Sequence, residues 1–413
     1  MNLLITNIRQ LINVRESSAL LRGKDLAELP VIEQAYLQIA GDRITGYGSM
    51  DSISSRVPVP NEEILDAGGA AVLPCWCDSH THLVFAASRE AEFVDKIKGA
   101  GYAEIAAKGG GILHSARKLN ETDAETLYQE AWQRLWELIR LGTGAIEIKS
   151  GYGLTVEGEL KMLRLIKRLK ENSPIPVKAT FLGAHTYPLR YQNDHQAYIR
   201  EICEEMLPVI QSEQLADYID VFCENGFFSV SEAETVCRAG MAIGLRPKIH
   251  ANQLHLSGGT QLGVALGAIS VDHLETMDSA AIEALAGSGT IGTLLPTAAF
   301  FLRMPFQPAR TLIDSGCAIA LASDFNPGSS PSGNMNLVVS MSCIQMKMLP
   351  EEAINAATLN GAYAMDLGKE LGSITVGKKA NLIFTRPIPS VAYLPYAFGT
   401  HLIDRVMIMG RFI

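Results

Sequence analysis

The sequence predicts an α/β fold: a (β/α)8 barrel of the TIM type with a small β-sandwich domain built from both chain ends. Through the middle of the chain, short apolar runs alternate with longer amphipathic stretches, the pattern of a parallel sheet built from βα units. Eight such runs occur, the number that closes a (β/α)8 barrel. Both chain ends contain instead short strands separated by turn residues.

The small domain is predicted to combine residues 1–66 with residues 371–413. Its strands are predicted at residues 3–6, 35–40, 43–47, 372–376, 381–385 and 405–409. Gly41 and Asp42 separate two of these strands and favour a tight hairpin turn. Both ends of the chain are therefore expected to build one domain together.

The barrel is predicted over residues 67–370. Its eight strands are predicted at residues 71–76, 145–148, 177–182, 219–223, 247–249, 269–271, 290–295 and 318–322. Between them, residues 122–125 and 229–232 have the form of helix-capping boxes, and residues 159–170 are amphipathic. Catalytic side chains of such barrels lie at the C-terminal ends of the strands, where we therefore look for a site.

Polar residues follow each predicted strand, and five of the nine histidines are among them: His80, His82, His185, His250 and His273. His80 and His82 are two residues apart, so in extended backbone both side chains leave on one face. His250 and Asp324 follow the fifth and eighth strands, which barrel closure brings near the first. Imidazole and carboxylate groups suit a borderline divalent cation. The alternative is that His250 is a hydrogen-bonded core residue and Asp324 caps a turn.

Composition excludes several other classes of protein. The formal charge of −9 and the lack of a long Lys/Arg run argue against a nucleic-acid partner. The sequence has no signal core and no apolar run of about 18 residues, so no membrane span is expected. Seven cysteines without CxxC spacing fit a reducing cytoplasm. Cys75 and Cys77 could bind metal but are more simply explained as buried small hydrophobes.

With these residues in place, the chain resembles the amidohydrolase superfamily, whose members carry HxH on the first strand, histidines after the fifth and sixth, and aspartate after the eighth. Within it, the chain is similar to enzymes that hydrolyse 4-imidazolone-5-propanoate to N-formimidoyl-L-glutamate in histidine degradation. The segments that carry this similarity are 78–90 (DSHTHLVFAASRE), 109–112 (GGGI), 147–154 (EIKSGYGL), 181–185 (FLGAH), 220–226 (DVFCENG) and 322–329 (ASDFNPGS).

The resemblance implies one divalent or trivalent metal ion, zinc or iron, with the ligands His80, His82, His250 and Asp324. The ligand types alone do not choose among zinc, iron and manganese. The resemblance also implies a homodimer, and it implies substrate or product contacts from Arg89, Tyr152, His185, Gln253, Asn326, Gly328 and Ser329. The guanidinium of Arg89 suits a propionate carboxylate, whereas the alternative for Arg89 is a surface salt bridge. Tyr152 and Asn326 could alternatively only shape their Gly-rich loops.

We expect water to attack the ring carbonyl, since a bound dication lowers the pKa of water from about 16 to near 7. The developing oxyanion would be stabilised by the metal and by a donor such as His185 or His273. Asp324, helped by His273, would pass the proton to the departing ring nitrogen, or His273 would do so itself, while Gln253 orients the water or the ring. His273 could instead only orient its neighbours or pack in the core.

Several features separate this prediction from its alternatives. Gln253 stands where the cytosine and adenosine deaminases of the superfamily carry a proton-shuttling glutamate, so deamination is the second choice. Residues 223–225 lack the bridging lysine of binuclear members, so one metal is predicted, and Lys149 is assigned to support or charge balance. The complete ligand set disfavours an inactive barrel that serves as a binding protein. Residues 99–112, with their glycines, are expected to form a mobile lid.

Overall fold

The structure, a computed structural model, describes residues 2–57, 59–99 and 110–413. The predicted lid falls largely on residues 100–109, which lie outside the described residues. The strands in chain order are β1 (Asn2–Ile12), β2 (Val31–Ala40), β3 (Arg43–Ser49), β4 (Glu62–Asp66), β5 (Ala71–Pro74), β6 (Trp76–Asp78), β7 (Thr143–Lys149), β8 (Val177–Ala184), β9 (Tyr218–Cys223), β10 (Arg246–Ala251), β11 (Ser270–His273), β12 (Ile291–Leu294), β13 (Ala318–Leu321), β14 (Leu382–Thr385), β15 (Ile403–Ile408) and β16 (Arg411–Phe412).

The predicted barrel is confirmed. Strands β6 to β13 form one parallel sheet in which each strand pairs with its neighbour in the sequence. The sheet closes just beyond the first and last strands. There the Asp324 N–H donates to the carbonyl of His80 at 2.9 Å, and the His82 N–H donates to the carbonyl of Phe325 at 2.8 Å. This closure places the polar residues after β6 beside those after β13.

Helices connect the strands, and longer ones such as Ala124–Arg140, Val156–Asn172 and Val230–Ala242 bury apolar side chains. The α-helices are Glu90–Ile97, Ile112–Glu121, Ala124–Arg140, Val156–Asn172, His195–Arg200, Leu207–Glu213, Val230–Ala242, Gly259–Ala265, Ser279–Ala286, Pro296–Leu302, Ala309–Asp314, Met335–Met346, Pro350–Asn355, Gly361–Tyr363 and Tyr393–Tyr396. Turns of 3-10 helix cover Gly23–Ala27, Met50–Ser55 and Leu189–Tyr191, and π-helical turns cover Glu201–Met206 and Ala356–Asn360. Among the described helices, none is long and apolar enough to cross a bilayer.

One predicted capping box is confirmed and the other is wrong. Ser229 and Glu232 form a reciprocal box at the start of Val230–Ala242. At the start of Ala124–Arg140 the cap is Asp123, whose carboxylate accepts the Thr126 N–H at 2.9 Å. The Thr122 hydroxyl donates instead to the carbonyl of Lys118 at 2.8 Å, and this bond belongs to the end of the preceding helix. The cap shifts by one residue because Thr122 is already occupied.

The small domain from both chain ends is confirmed as one mixed sheet in the order β16-β15-β14-β5-β1-β2-β3, with β4 parallel to β1. The hairpin at Gly41 is present, since Ala40 pairs with Arg43. The predicted strand at residues 372–376 is wrong, because only Ile374 forms a bridge, with Val14. Gly372 and Gly377 both have positive φ, and this conformation interrupts extended backbone.

The predicted strand at residues 71–76 is divided between the two sheets. Its first part is β5, which pairs with β14 and β1 in the small domain. The first barrel strand begins only at Trp76, whose N–H donates to the carbonyl of Gly142 at 2.9 Å. The run is apolar throughout because each part is buried, in a different sheet. Apolarity alone therefore did not reveal that the chain passes from one sheet to the other within this run.

Gly144 lies at the junction between barrel and small domain, where space is short. A Cβ on Gly144 would lie 2.3 Å from the Cβ of Cys75, and the Gly144 carbonyl accepts the side-chain amide of Asn381 at 3.0 Å. We expect Gly144→Val to lower the free energy of unfolding by about 1–3 kcal/mol through overpacking. Urea unfolding would measure this loss of stability. Gly289→Ala is the control, because a Cβ on Gly289 would have no described atom within 4 Å. Equal midpoints for the two variants would contradict tight packing at the junction.

Candidate active site

A cavity of about 380 Å³ opens at the C-terminal ends of the barrel strands. Nearly all of the predicted site residues line it: His82, Arg89, Tyr152, His185, His250, Gln253, His273, Asp324, Asn326, Gly328 and Ser329. The remaining predicted residue, His80, is fully buried beneath it. Sequence reasoning missed Lys96 and several apolar lining residues, among them Phe222, Leu302 and Met304. Lys96 and Leu302 lie in helices and Met304 in a loop, at positions that no spacing in the sequence indicates, whereas Phe222 lies within β9.

Three imidazoles converge at the floor of this cavity. His80, His82 and His250 each offer a ring nitrogen, and these nitrogens lie within 4.8 Å of one another. The Oδ1 atom of Asp324 lies 3.5 Å from the Nε2 atoms of both His80 and His82. His80 and His82 come from the extension of β6, His250 from β10, and Asp324 from the loop after β13. Barrel closure thus brings together residues that are up to 244 positions apart in the chain.

These residues fit a metal ion. The Nε2 atoms of His80 and His250 are buried, and neither has a hydrogen-bond partner among the residues that the structure describes. Burial, with Lys149 nearby, lowers the pKa of His80 well below its usual value, and burial likewise lowers that of His82. Neutral imidazoles with free lone pairs are the state in which histidine binds a cation. An unpaired buried nitrogen would otherwise be costly.

A second layer of carboxylates orients the imidazoles. The Oδ2 atom of Asp272 lies 2.7 Å from Nδ1 of His80, and the Oδ2 atom of Asp220 lies 3.0 Å from Nδ1 of His250. These contacts direct the Nε2 atoms of both rings toward the shared centre, as carboxylates behind metal-binding histidines commonly do. Although burial alone would raise the pKa of Asp220, His250 and Lys149 lower it well below its usual range.

Beneath the site lies a fully buried ionic network that sequence analysis recognised only through Lys149. Its Nζ atom lies 2.8 Å from Oδ2 of Asp220, 2.6 Å from Oε1 of Glu147 and 3.6 Å from Oδ2 of Asp272. Lys248 pairs with Glu147 as well. The network thus contains two positive charges, those of the two lysines, and three negative charges, those of the three carboxylates. Asp324 adds a further negative charge, so a divalent cation would balance the buried groups.

His273 is held in an unusual backbone conformation beside the three imidazoles. It has φ 89°, and Leu274 has φ 66°, both in the left-handed region that side chains disfavour. Its Nδ1 atom lies 3.4 Å from Oε1 of Glu275, which also accepts the side-chain amide of Gln307 at 3.0 Å. Burial opposes protonation, but Glu275 and Asp324 outweigh it and raise the pKa of His273. His273 can therefore hold a proton at the cavity.

His185, in contrast to His273, is a neutral imidazole with a lowered pKa. Its Nδ1 atom lies 3.0 Å from the carbonyl of Gly151, which can only accept, so Nδ1 carries the proton and Nε2 is an acceptor. Burial, with His250 nearby, lowers the pKa of His185 to about 3. A neutral ring in this tautomer does not donate from Nε2. Of the two donors considered for an oxyanion, the geometry favours His273.

Arg89 is largely buried, not at the open surface. Its side chain is 13% exposed, and its Nη2 atom lies 2.9 Å from Oε2 of Glu92, which in turn accepts the Gly111 N–H through Oε1 at 2.9 Å. A Cβ on Gly328 would lie 2.1 Å from Nη1 of Arg89. The absence of a side chain at Gly328 is therefore what lets the guanidinium reach the cavity.

Asn326 shapes the turn after β13. Its Oδ1 atom accepts the N–H groups of Gly328 and Ser329, both at 2.8 Å. Its Nδ2 atom donates to the carbonyl of Asp324 at 2.6 Å and to Oγ of Ser329 at 2.7 Å. The Ser329 hydroxyl also lies 3.3 Å from Oδ2 of Asp324. The side chain thus fixes the position of Asp324 and of the turn that faces the cavity.

Comparison with known proteins agrees with this fold. Residues 71–413 match the model of the amidohydrolase family. The fold resembles guanine deaminase from E. coli (TM-score 0.75, 14% identity, 100% of this chain and 99% of that one) and a zinc-bound adenosine deaminase from Xanthomonas campestris (0.69, 17%, 99% and 92%). At these identities the likeness shows the fold alone. The chain belongs to the amidohydrolase family.

Three curated relatives, each named imidazolonepropionase, are similar over nearly the whole length. The protein of Flavobacterium johnsoniae is 57% identical and covers 99% of both chains. That of Christiangramia forsetii is 53% identical over 100% of both, and that of a Geobacillus species is 40% identical over 99% of this chain and 97% of its own. Within the amidohydrolases, this chain is therefore a member of the imidazolonepropionase family.

Proposed function

We propose that the protein hydrolyses the cyclic amide of 4-imidazolone-5-propanoate to give N-formimidoyl-L-glutamate, a step of histidine degradation. The observation that carries the proposal is that three buried histidines converge at the floor of a cavity that a largely buried guanidinium lines. The histidines can hold the ion of a hydrolase, and the guanidinium can hold the propionate. The curated relatives, named imidazolonepropionase, support this substrate.

One ion, zinc or iron, would be held by His80, His82, His250 and Asp324. When bound, such an ion polarises a carbonyl and makes water acidic enough to attack at neutral pH. The count of one is supported at the end of β9, where binuclear relatives carry a lysine. In this chain Glu224 follows β9 instead of a lysine, and its carboxylate accepts N–H groups of the loop after β10.

The chain's own residues supply the proton transfers. A water oxygen bonds to the ring carbonyl carbon, the ring C–N bond breaks, and one proton passes from the water to the departing nitrogen. Burial raises the pKa of Asp324 to about 6 when no ion is bound, and we assign to this carboxylate the transfer of the proton from the water to the nitrogen. His273 donates to the developing oxyanion. Tyr152, whose pKa is raised by burial and which stays protonated, and Gln253 offer hydrogen bonds to the ring.

The direct test is to incubate the metal-loaded protein with 4-imidazolone-5-propanoate and to follow formation of formimidoylglutamate. Turnover of this substrate, with no ammonia release from aminopyrimidines, is expected. Consumption of an aminopyrimidine instead would favour a deaminase. If metal binds but neither compound is consumed, an inactive binding protein becomes the better explanation.

Arg89 should determine affinity for the carboxylate. We expect Arg89→Gln to raise KM about 10- to 100-fold, because a charge-assisted hydrogen bond to the substrate is lost. The KM of Arg89→Lys should lie between those of the wild type and Arg89→Gln, since a lysine keeps the charge without the bidentate geometry. Steady-state kinetics measure both variants. A KM unchanged by Arg89→Gln would show that the guanidinium serves only its pair with Glu92.

We also propose that the protein is a cytoplasmic homodimer. All seven cysteines are unpaired, which suits a reducing compartment. The dimer rests on the family resemblance. Sedimentation of the purified protein tests the dimer, and cell fractionation tests the compartment.

A further inference from the structure

Two loops that line the cavity are each bound by a glutamate that does not line it. The carboxylate of each glutamate accepts several backbone N–H groups of its loop. Glu159, in Val156–Asn172, is fully buried. Its Oε2 atom accepts the N–H of Gly151 at 3.0 Å, and its Oε1 atom accepts those of Gly153 and Leu154 at 2.7 and 3.0 Å. The side chain of Tyr152 projects from the middle of these bonds into the cavity.

Glu224, directly after β9, repeats this arrangement on the loop after β10. Its Oε2 atom accepts the N–H groups of Leu254 at 2.8 Å and His255 at 3.2 Å. Its Oε1 atom accepts the Asn225 N–H at 2.7 Å and lies 3.1 Å from Nδ1 of His255. Gln253, which lines the cavity, immediately precedes the bound N–H groups.

The loops need such restraint because their backbones are strained. Leu154 has φ 52° and Asn252 has φ 54°, both left-handed, and such residues persist only where their surroundings fix them. A Cβ on Gly153 would lie 2.2 Å from the backbone nitrogen of Glu159, so the first loop is pressed against the helix. The Gly151 carbonyl also accepts from His185, so this loop sets the ring orientation of His185 as well.

The charge of each glutamate makes the restraint strong. Among the described residues, no lysine or arginine forms an ion pair with Glu159 or Glu224, and the imidazole of His255 is the one basic partner, on Glu224. A buried carboxylate is costly unless hydrogen bonds compensate it. Here the loop N–H groups supply that compensation, through charge-assisted bonds. Displacing its loop would take three backbone donors from Glu159, while Glu224 would keep the N–H of Asn225 but lose those of Leu254 and His255.

We infer that Glu159 and Glu224 are positioning residues, which hold Tyr152 and Gln253, respectively, in the geometry that binds substrate. This inference rests on the proposed function for its kinetic consequence but not for its structural one. Each glutamate acts on its own loop, so the two effects are separable. That separability distinguishes positioning from a general contribution to stability.

The structural test is amide hydrogen exchange, followed by mass spectrometry, on peptides that cover residues 151–154 and 253–255. Glu159→Gln replaces an acceptor oxygen with an NH2 group that faces N–H donors. Exchange in its own loop should become about tenfold faster, the effect of losing one such bond, while the other loop is unchanged. Glu224→Gln should give the reverse pattern. Glu213→Gln, which removes an exposed partner of Arg164, is the control and should change neither loop.

The kinetic test combines each variant with the residue it is inferred to position. Alone, each Glu→Gln change should raise KM about tenfold. On a Tyr152→Phe background, Glu159→Gln should add less than about twofold, whereas on a Gln253→Ala background it should keep its full effect. Glu224→Gln should show the opposite pairing. Glu→Asp variants, which keep the charge, should recover part of the affinity and replace any Gln variant that fails to fold.

Faster exchange in both loops of both variants, or in neither, would overturn the inference, as would full additivity of each glutamate with its own partner. If the wild-type protein does not turn over 4-imidazolone-5-propanoate, the proposed function fails. The exchange patterns still decide whether the glutamates hold the loops.

Discussion

Replacing His250 with alanine is expected to abolish metal binding and to lower turnover by at least about a thousandfold, while the barrel stays folded. Loss of a partner behind a metal ligand typically costs 10- to 100-fold, and loss of a ligand itself costs more. His250 supplies one of three nitrogens that lie within 4.8 Å of one another, and its own carboxylate partner, Asp220, is fixed by Lys149. Elemental analysis after dialysis and steady-state turnover measure the two effects.

His401→Ala is the matched control, because His401 is exposed and far along the chain from the site. It should retain metal and activity. Stoichiometric metal in His250→Ala protein would show that the ion, if present, is held elsewhere. Turnover without metal would remove the basis for assigning His80 and His82 as ligands.

Replacing Lys149 with methionine is expected to lower the free energy of unfolding by about 3–5 kcal/mol, the cost of leaving buried charges without their partner. Its ammonium is the link between Asp220 and Asp272, which orient His250 and His80. Metal affinity should therefore fall as well, by about 10- to 100-fold. Urea unfolding of the metal-free protein and competition with a chelator separate these two effects.

Lys170→Met provides the comparison, since Lys170 makes a similar contact with Asp217 at 2.8 Å but its side chain is 44% exposed. An exposed ion pair contributes about 0–1 kcal/mol, so this variant should stay within that range. If both lysine variants lost equal stability, the buried network would not be the structural base of the site. A destabilised Lys149→Met protein with unchanged metal affinity would show that the aspartates keep their positions without it.

The barrel and the small domain could be predicted because their signals are local. Strand-length apolar runs and polar residues directly after them are visible in any short window of the sequence. The run at residues 71–76 shows the limit, since β5 and β6 belong to different sheets although both are apolar. Which sheet a strand joins depends on partners such as β14, more than 300 residues away.

The candidate site was predictable in part for the same reason. HxH spacing and strand-end positions indicated the four candidate metal ligands, His80, His82, His250 and Asp324. The family resemblance added Arg89 and Tyr152. Glu147 and Lys248 gave no signal, because a charged residue within a strand looks like one that faces solvent. Only the closed barrel shows that they point inward and neutralise each other.

The sequence by itself determined the order of strands and helices, the residues that end each strand, and hence the inventory of groups available for chemistry. Tertiary structure alone decided their state: which imidazole holds a proton, which carboxylates lie behind the histidines, and which glutamates hold the loops. The physical reason is that the covalent chain fixes only the succession of residues. Protonation and orientation instead depend on burial and on charges brought within a few ångströms by closure of the barrel.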